Sequence, residues 1–238
     1  MYDKIQQFRK LVNERDNIVF FGGAGVSTES GIPDFRSKDG LYNQQYKYPP
    51  ETILSHTFFM NKTEEFFKFY KLKMNSLKYQ PNITHIKLAE LENKGKLKAV
   101  ITQNIDGLHQ KAGSKVVYEL HGSVLRNYCM NCHKFYDAEY VFNSNGIPRC
   151  SCGGIIKPDV VLYEEGLNEE TIEKSIYAIQ NADLLIVAGT SLTVQPASGL
   201  INFFRGRNLV LINRNSTPYD NKANLVINDS LGKVFSNL

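Results

Sequence analysis

The sequence predicts an α/β fold: a Rossmann-like parallel sheet with helices on both faces, plus a smaller lobe formed by two insertions. Three observations predict it. Short apolar runs recur at residues 18–21, 97–102, 116–120, 184–188 and 209–213, with another at 225–228, and helical stretches lie between several of them. Unbroken apolar runs of strand length mark strands buried on both faces of a parallel sheet. Polar or glycine-rich segments follow several of these runs, at the strand ends where an open parallel sheet binds its ligands. All four cysteines fall between Cys129 and Cys152, inside one insertion. The second lobe is therefore read as a small zinc-binding and helical lobe.

Residues 3–15 read as an amphipathic helix, with Ile5, Phe8, Leu11 and Val12 on one face and Asp3 with Gln6 as a capping pair. Residues 18–21 then form a strand that enters a turn at Gly22-Gly23. The large domain takes residues 1–37, 86–123 and 155–238. The helical insertion takes 38–85 and the cysteine-bearing insertion 124–154. Residues 38–85 are rich in aromatics and lysine, with breaks at Pro49-Pro50 and Pro81. A helix is expected over 63–77, where Phe66, Phe67, Phe69 and Tyr70 read first as core packing.

The chain has 238 residues, 42% hydrophobic and 22% charged, with a formal net charge of +4. That excludes a disordered chain and leaves room for one large or two small domains. The isoelectric point near 8.7 tolerates an anionic ligand or a basic peptide without demanding nucleic acid. The longest apolar runs, 184–188 and 209–212, fall far short of the roughly 18 residues of a membrane span. The polar start of the chain lacks the pattern of a signal peptide. A cytoplasmic monomer without membrane contact is expected.

Five polar segments carry candidate chemistry. Gly22-Gly23-Ala24-Gly25-Val26-Ser27 follows the first strand, where glycines let a backbone approach a pyrophosphate at the start of a helix. Thr28 stands where a complete Gly-x-Gly-x-x-Gly would place its last glycine, so the segment serves equally as an ordinary turn. In Gly31-Ile32-Pro33-Asp34-Phe35-Arg36-Ser37, an aromatic beside an arginine can cover a ring and grip a phosphate; a surface turn is the alternative. Thr102-Gln103-Asn104-Ile105-Asp106 offers groups for ribose hydroxyls or an amide, or a helix cap. His121-Gly122 sits past a strand, where the imidazole is a general base or a structural histidine. Gly189-Thr190-Ser191 repeats the pattern, and Asn213 ends the next strand beside it.

Cys129-x-x-Cys132, a gap of 17 residues and Cys150-x-Cys152 suit one tetrahedral structural zinc with no open position. Cys129-x-x-Cys132-His133 also matches a haem attachment pattern, which would leave Cys150 and Cys152 unexplained. A nucleic-acid-reading ribbon is disfavoured: Arg126, Lys134, Arg149 and Lys157 exceed Asp137 and Glu139 by only two.

In this order, the motifs from Gly23 through Ser37, Thr102 to Asp106, His121-Gly122, the four cysteines and Gly189 to Ser191 resemble the sirtuin family of NAD-dependent protein-lysine deacylases. The resemblance runs from about Ile18 to Asn213. It implies NAD as a consumed co-substrate and an acyl-lysine peptide meeting in a cleft between the lobes. Ala24, Gly25 and Thr28 would line the pyrophosphate loop. Phe35 would shield the ribose face, and Arg36 would lie near the phosphates. Gln103 and Asn104 would contact the nicotinamide-side ribose; Ile105 and Asp106 would bind the carboxamide. Gly189, Thr190, Ser191 and Asn213 would hold the adenosine half, with residues near Asp229 and Ser230 closing it. The acyl oxygen would displace nicotinamide, and His121, as general base assisted by Asn104, would then drive transfer of the acyl group to ADP-ribose. The peptide would add as a strand between Val160, Val161, Leu162 and Tyr163 on one side and residues 192–194 on the other.

This chain departs from that pattern at two places. Leu162-Tyr163-Glu164 stands where relatives often carry Trp-Phe-Gly. Phe67 and Tyr70 stand where desuccinylating relatives carry a tyrosine and an arginine. A charged acyl group would then be buried unpaired, so a neutral one is expected. An ADP-ribosyltransferase on the same fold and a non-catalytic NAD sensor or zinc-ribbon adaptor are the rival readings.

Overall fold

The computed structural model describes residues 2–34 and 46–238. Phe35 and Arg36 lie outside the described residues. Six parallel strands form the large sheet: β1 (Ile18–Gly22), β2 (Leu97–Thr102), β3 (Val117–Glu119), β7 (Leu184–Ala188), β8 (Asn208–Ile212) and β9 (Leu225–Ile227), in the order β3-β2-β1-β7-β8-β9. The order reverses between β1 and β7, which opens a crevice beyond their carboxyl ends.

Alternation along β1 explains why both faces are covered. Ile18 and Phe20 point into a core with Phe8 and Val12 of α1 (Tyr2–Glu14), Leu88 and Leu91 of α5 (Ile83–Asn93) and Phe235 of α9 (Leu231–Phe235). Val19 and Phe21 face the opposite core, with Ile179 of α8 (Glu169–Asn181) and Leu200 of the 3-10 segment Ala197–Phe203. The expected doubly covered sheet is present. Local signals set the helix ends. The Asn82 side chain accepts from the Thr84 amide to start α5, and Asn168 does the same for α8 through Thr171.

A second, antiparallel sheet is built from β4 (Gly122–Cys129), β5 (Phe135–Tyr136) and β6 (Ile156–Val160), ordered β5-β4-β6. The expected boundary at 154/155 therefore cuts β6 away from its own sheet. Apolar residues of β6 resemble those of the large sheet in type, but Asn127, Tyr128 and Cys129 pair with Pro158, Lys157 and Ile156 and claim the strand for the smaller lobe. The helical insertion supplies α2 (Pro50–Ile53), α3 (His56–Asn61) and α4 (Thr63–Lys73), and the cysteine-bearing insertion adds α7 (Ala138–Asn143). α4 ends at Lys73, four residues before the expected 77. Phe58, Phe59, Phe66, Phe67 and Tyr70 pack against Val124, Val141, Ile156 and Leu162, so the two insertions share one core. Lys71 fastens them: its ammonium donates to the Ser144 carbonyl at 2.6 Å, the Ser144 hydroxyl at 2.8 Å and the Gly146 carbonyl at 2.6 Å.

Gly122 marks the junction between lobes. Its φ is +74°, and an added Cβ would run into the Asp159 carbonyl oxygen. Gly122→Ala is expected to destabilise the fold by about 2 kcal/mol or more, read as a lowered Tm; an unchanged Tm would contradict this account of the junction.

Candidate functional site

The crevice opens into a cavity of about 480 Å³ that continues between the lobes. Its floor begins at β1. Gly23, Ala24 and Gly25 line it, and the Gly25 amide donates to the Gly189 carbonyl at 2.8 Å. Cβ atoms at either glycine would collide: Gly25 with the Gly189 Cα at 2.8 Å, Gly189 with the Val26 amide at 2.6 Å. Gly189 also has φ +60°. The bare backbone is therefore a packing requirement, and it leaves room for a flat or phosphorylated ligand.

The loop does not lead into an α-helix as expected. Two 3-10 turns, Ala24–Val26 and Thr28–Ser30, replace it. The Thr28 hydroxyl turns inward to donate to the Gly25 carbonyl at 3.0 Å, and Gly31 ends the segment at φ +92°. Thr28 does not line the cavity; it braces the loop that does.

The segment after β2 supplies the polar floor. Ser27 donates from its hydroxyl to Asp106 Oδ2 at 2.6 Å and accepts from Asn104 Nδ2 at 3.1 Å. Asp106 Oδ1 accepts the Leu108 amide at 2.9 Å, so this carboxylate both caps and faces the site. Burial pushes the Asp106 carboxyl up, against the Ser27 and Leu108 donors that pull it down. Gln103 donates from Nε2 to the Thr190 hydroxyl at 3.1 Å and ties the second strand loop to the fourth.

His121 lines the cavity beside them. Its Nδ1 stands 2.9 Å from the Gln103 carbonyl oxygen. A carbonyl only accepts, so Nδ1 carries the proton and Nε2 keeps its lone pair. Burial lowers the imidazole below the ordinary 6.5, partly offset by that carbonyl.

The far wall is apolar. Leu54, Tyr70, Met74, Ile105, Val160 and Leu162 line it, with Val161 and Tyr163 continuing along the edge. The Tyr163 amide donates to the Leu54 carbonyl, and the His56 amide donates to the Tyr163 carbonyl, both at 3.0 Å. Of the two expected acyl residues, Tyr70 lines the cavity and Phe67 lies in the lobe core. On the opposite edge Val194 lines the cavity while Leu192 is buried beneath it. Gly189, Thr190, Ser191 and Asn213 line the outer end with Asn215. Asp229 and Ser230 do not line the cavity; Asp229 pairs with Lys233 at 2.6 Å.

Sequence reasoning missed Ser27 as the hub of the polar floor, and it missed His85 behind it. The Asn82 amide donates to His85 Nδ1 at 3.3 Å, which puts the proton on Nε2, 3.5 Å from the Ser27 hydroxyl. The signal for Ser27 was a hydroxyl directly after the glycines. His85 gave none, because its partner is 58 residues away. Lys73, Met74 and Tyr79 also line the cavity without having been singled out.

The four cysteine sulfurs lie within 4.8 Å of one another, with Cys129 to Cys152 at 3.4 Å and Cys132 to Cys150 at 3.5 Å. Zn–S bonds of about 2.3 Å in a tetrahedron space their sulfurs about 3.8 Å apart, so the donor set fits structural zinc and not disulfides. Gly154 leaves the space: a Cβ there would sit 2.7 Å from the Cys129 sulfur.

Fold and site together define a class: a protein that takes a dinucleotide at the switch point of a Rossmann-like sheet and faces it with a small cysteine-knuckle lobe. Residues 23–196 match the Sir2 family. A protein of Clostridium acetobutylicum named NAD-dependent protein deacetylase is 61% identical over 238 residues, covering 98% of this chain and 97% of its own. One of the same name from Clostridium tetani is 57% identical, covering 99% and 97%. Among solved structures, a Sir2 with a deacetylated p53 peptide and 3'-O-acetyl ADP ribose superposes with a TM-score of 0.90 at 39% identity, covering 98% and 96%. A Sir2 with p53 peptide and NAD+ gives 0.86 at 40%, covering 98% and 95%. The chain belongs to the Sir2 family.

Two outcomes are expected. Metal analysis should find about one zinc per chain, lost in Cys132→Ser together with a lower Tm; retention of the metal would contradict the four-sulfur site. His85 is held down to about 4 and buried His109 well below 6.5, both chiefly by burial. The unfolded chain takes up these protons near 6.5 and the folded one does not. The stability they support is complete above that pH and falls as the pH drops, by about 1.4 kcal/mol per pH unit for each group. Tm measured from about pH 7 to about pH 5 should fall, and fall less in His109→Phe; equal slopes would contradict the assignment.

Proposed function

We propose that this chain removes acyl groups from peptide lysines, transferring them to the ADP-ribose part of NAD with release of nicotinamide, and that His121 is its general base. One observation carries the reading: His121, its Nδ1 committed to the Gln103 carbonyl, lies where the polar Ser27–Asn104–Asp106 floor meets the apolar Val160–Leu162 wall. NAD is the co-substrate that the glycine backbones, Gln103, Thr190, Ser191 and Asn213 would hold. Asp106 and the Ile105 backbone would orient the carboxamide, and Asn104 the ribose hydroxyls. With one nitrogen fixed as a donor, the other can take a proton from a ribose hydroxyl, and the low imidazole pKa keeps it free to do so at neutral pH. The relatives named NAD-dependent protein deacetylase and the Sir2 structures with acetylated and propionylated peptides support the same assignment.

The peptide fits as a strand along Val160–Tyr163, opposite Val194. That edge favours deacylation over transfer to a protein acceptor or mere NAD sensing. Among the described residues lining the cavity there is no arginine, and Lys73 is the single lysine. The Tyr70 phenol at the far wall is fully buried, its hydroxyl has no hydrogen-bond partner among the described residues, and burial raises its pKa. A neutral acyl group, acetyl or longer, suits that wall. No helix among the described residues is long and apolar enough to cross a membrane. A cytoplasmic setting is favoured by four clustered thiols that suit a metal and need a reducing compartment.

Mass analysis of an acetyl-lysine peptide with NAD is expected to show loss of acetyl and appearance of acetyl-ADP-ribose. His121→Ala should slow this by roughly 10²–10⁴-fold. Intact acetyl, propionyl and longer neutral acyl peptides beside bound NAD would overturn the reading, and succinyl turnover equal to acetyl would overturn the neutral-acyl assignment. Because the base must be neutral, kcat/KM should rise with pH along an acid limb below the ordinary 6.5 and then level off; a midpoint above it would contradict the environment described for His121.

A further inference from the structure

The pairing of β4 with β6 is interrupted at one place. Gly122 and Ser123 face Val160 and Asp159, yet Asn127 already faces Pro158, the very next residue of β6. Residues 124–126 therefore bulge out of the ladder. Pro158 has no amide to offer, and the Asn127 side chain closes the bulge by donating to the Val124 carbonyl at 3.2 Å. The bulge does two things. It turns the Val124 amide onto the Ile105 carbonyl at 3.0 Å, and it aims Arg126 back across the lobe junction.

There the guanidinium joins two carboxylates. Arg126 Nη1 donates to Glu119 Oε2 at 2.6 Å and Nε donates to Asp159 Oδ2 at 2.8 Å. Glu119 ends β3 of the large sheet, two residues before His121; its side chain is 7% exposed. Asp159 belongs to β6, directly before the Val160 that lines the acyl wall. The backbone repeats the link on the other side of His121, whose carbonyl accepts the Val161 amide at 3.0 Å. The general base is thus held between a charged clamp on β6 and a backbone bond to Val161 just past its end.

We propose that Arg126 is a positioning residue for deacylation: by bonding Glu119 and Asp159 together it sets the placement of His121 against the Val160–Val161 edge. This rests on the reading of His121 as base. Arg126 does not line the cavity, and it acts through the two strand ends it joins. Only a rigid fork with separate N–H donors spans both carboxylates, so a lysine at 126 would keep the charge without the geometry.

The reaction supplies its own internal control. Departure of nicotinamide precedes proton removal by His121, so exchange of labelled nicotinamide into NAD, run with the acyl peptide, reports the stage before the base is needed. In Arg126→Met and in Arg126→Lys, kcat for deacylation is expected to fall about tenfold or more while exchange falls less than about threefold. Arg126→Met leaves Glu119 buried and unpaired, which lowers Tm. Arg126→Met with Glu119→Gln removes that burden and should recover Tm without recovering kcat. Full kcat in the double variant or in Arg126→Lys would overturn the proposal, as would equal losses in both reactions. A wild-type chain that exchanges nicotinamide but does not deacylate would count against the assigned function, which separates the two failures.

Discussion

Two glycine backbones touch where the strand order reverses, and the site is arranged around that contact. The Gly25 amide meets the Gly189 carbonyl at 2.8 Å, and a Cβ on either residue would strike the backbone of the facing loop. With those loops so near, Gln103 after β2 reaches Thr190 after β7 and bridges the crevice. The Gln103 carbonyl then fixes His121, and its neighbour Asn104 reaches Ser27. One backbone approach propagates into the placement of five polar side chains. Substituting either glycine would displace the floor before it altered any group that does chemistry.

Polar and apolar demands are kept apart in this cavity. The floor satisfies its own donors and acceptors: Ser27 accepts from one neighbour and gives its proton to another, and Asp106 uses both oxygens. Such a network is rigid before a ligand arrives, so binding need not order it. The far wall offers little but hydrocarbon and thioether, with the Tyr70 hydroxyl hidden behind it. A hydrocarbon acyl chain seated there gives up no hydrogen bonds, whereas a charged group would be left unpaired.

Much of this was legible in the sequence, for physical reasons that also mark where legibility stops. Residues 18–21 and 184–188 read as strands because burial on both faces demands unbroken apolar residues, and period and burial are local properties. The cysteines were legible because metal geometry constrains spacing. The turn after Gly25 stayed open between a helix start and an ordinary turn, and the fold makes two 3-10 turns there, with the Thr28 hydroxyl bonded back to the Gly25 carbonyl. The boundary at 154/155 put β6 with the large domain because Ile156 and Val160 carry no mark of which strand will pair with them. His85 and Arg126 were silent, since each matters through residues distant in the chain that only the fold brings near.

The placement of β7 bears on how this chain assembles as it is made. β1 lies between β2 and β7, and β7 comes 166 residues after β1 in the paired register. The smaller lobe needs nothing beyond Leu162 for its shared core, and the Lys71 anchor is complete once Gly146 has been made. A nascent chain can therefore close its small lobe first, while Val19 and Phe21 still present an unpaired edge. Until residues 184–188 emerge, the fully buried strand β1 has a partner on one edge only and is open to pairing with another chain. The late arrival of one strand makes the interval between the two lobes' completion the period of greatest exposure to aggregation.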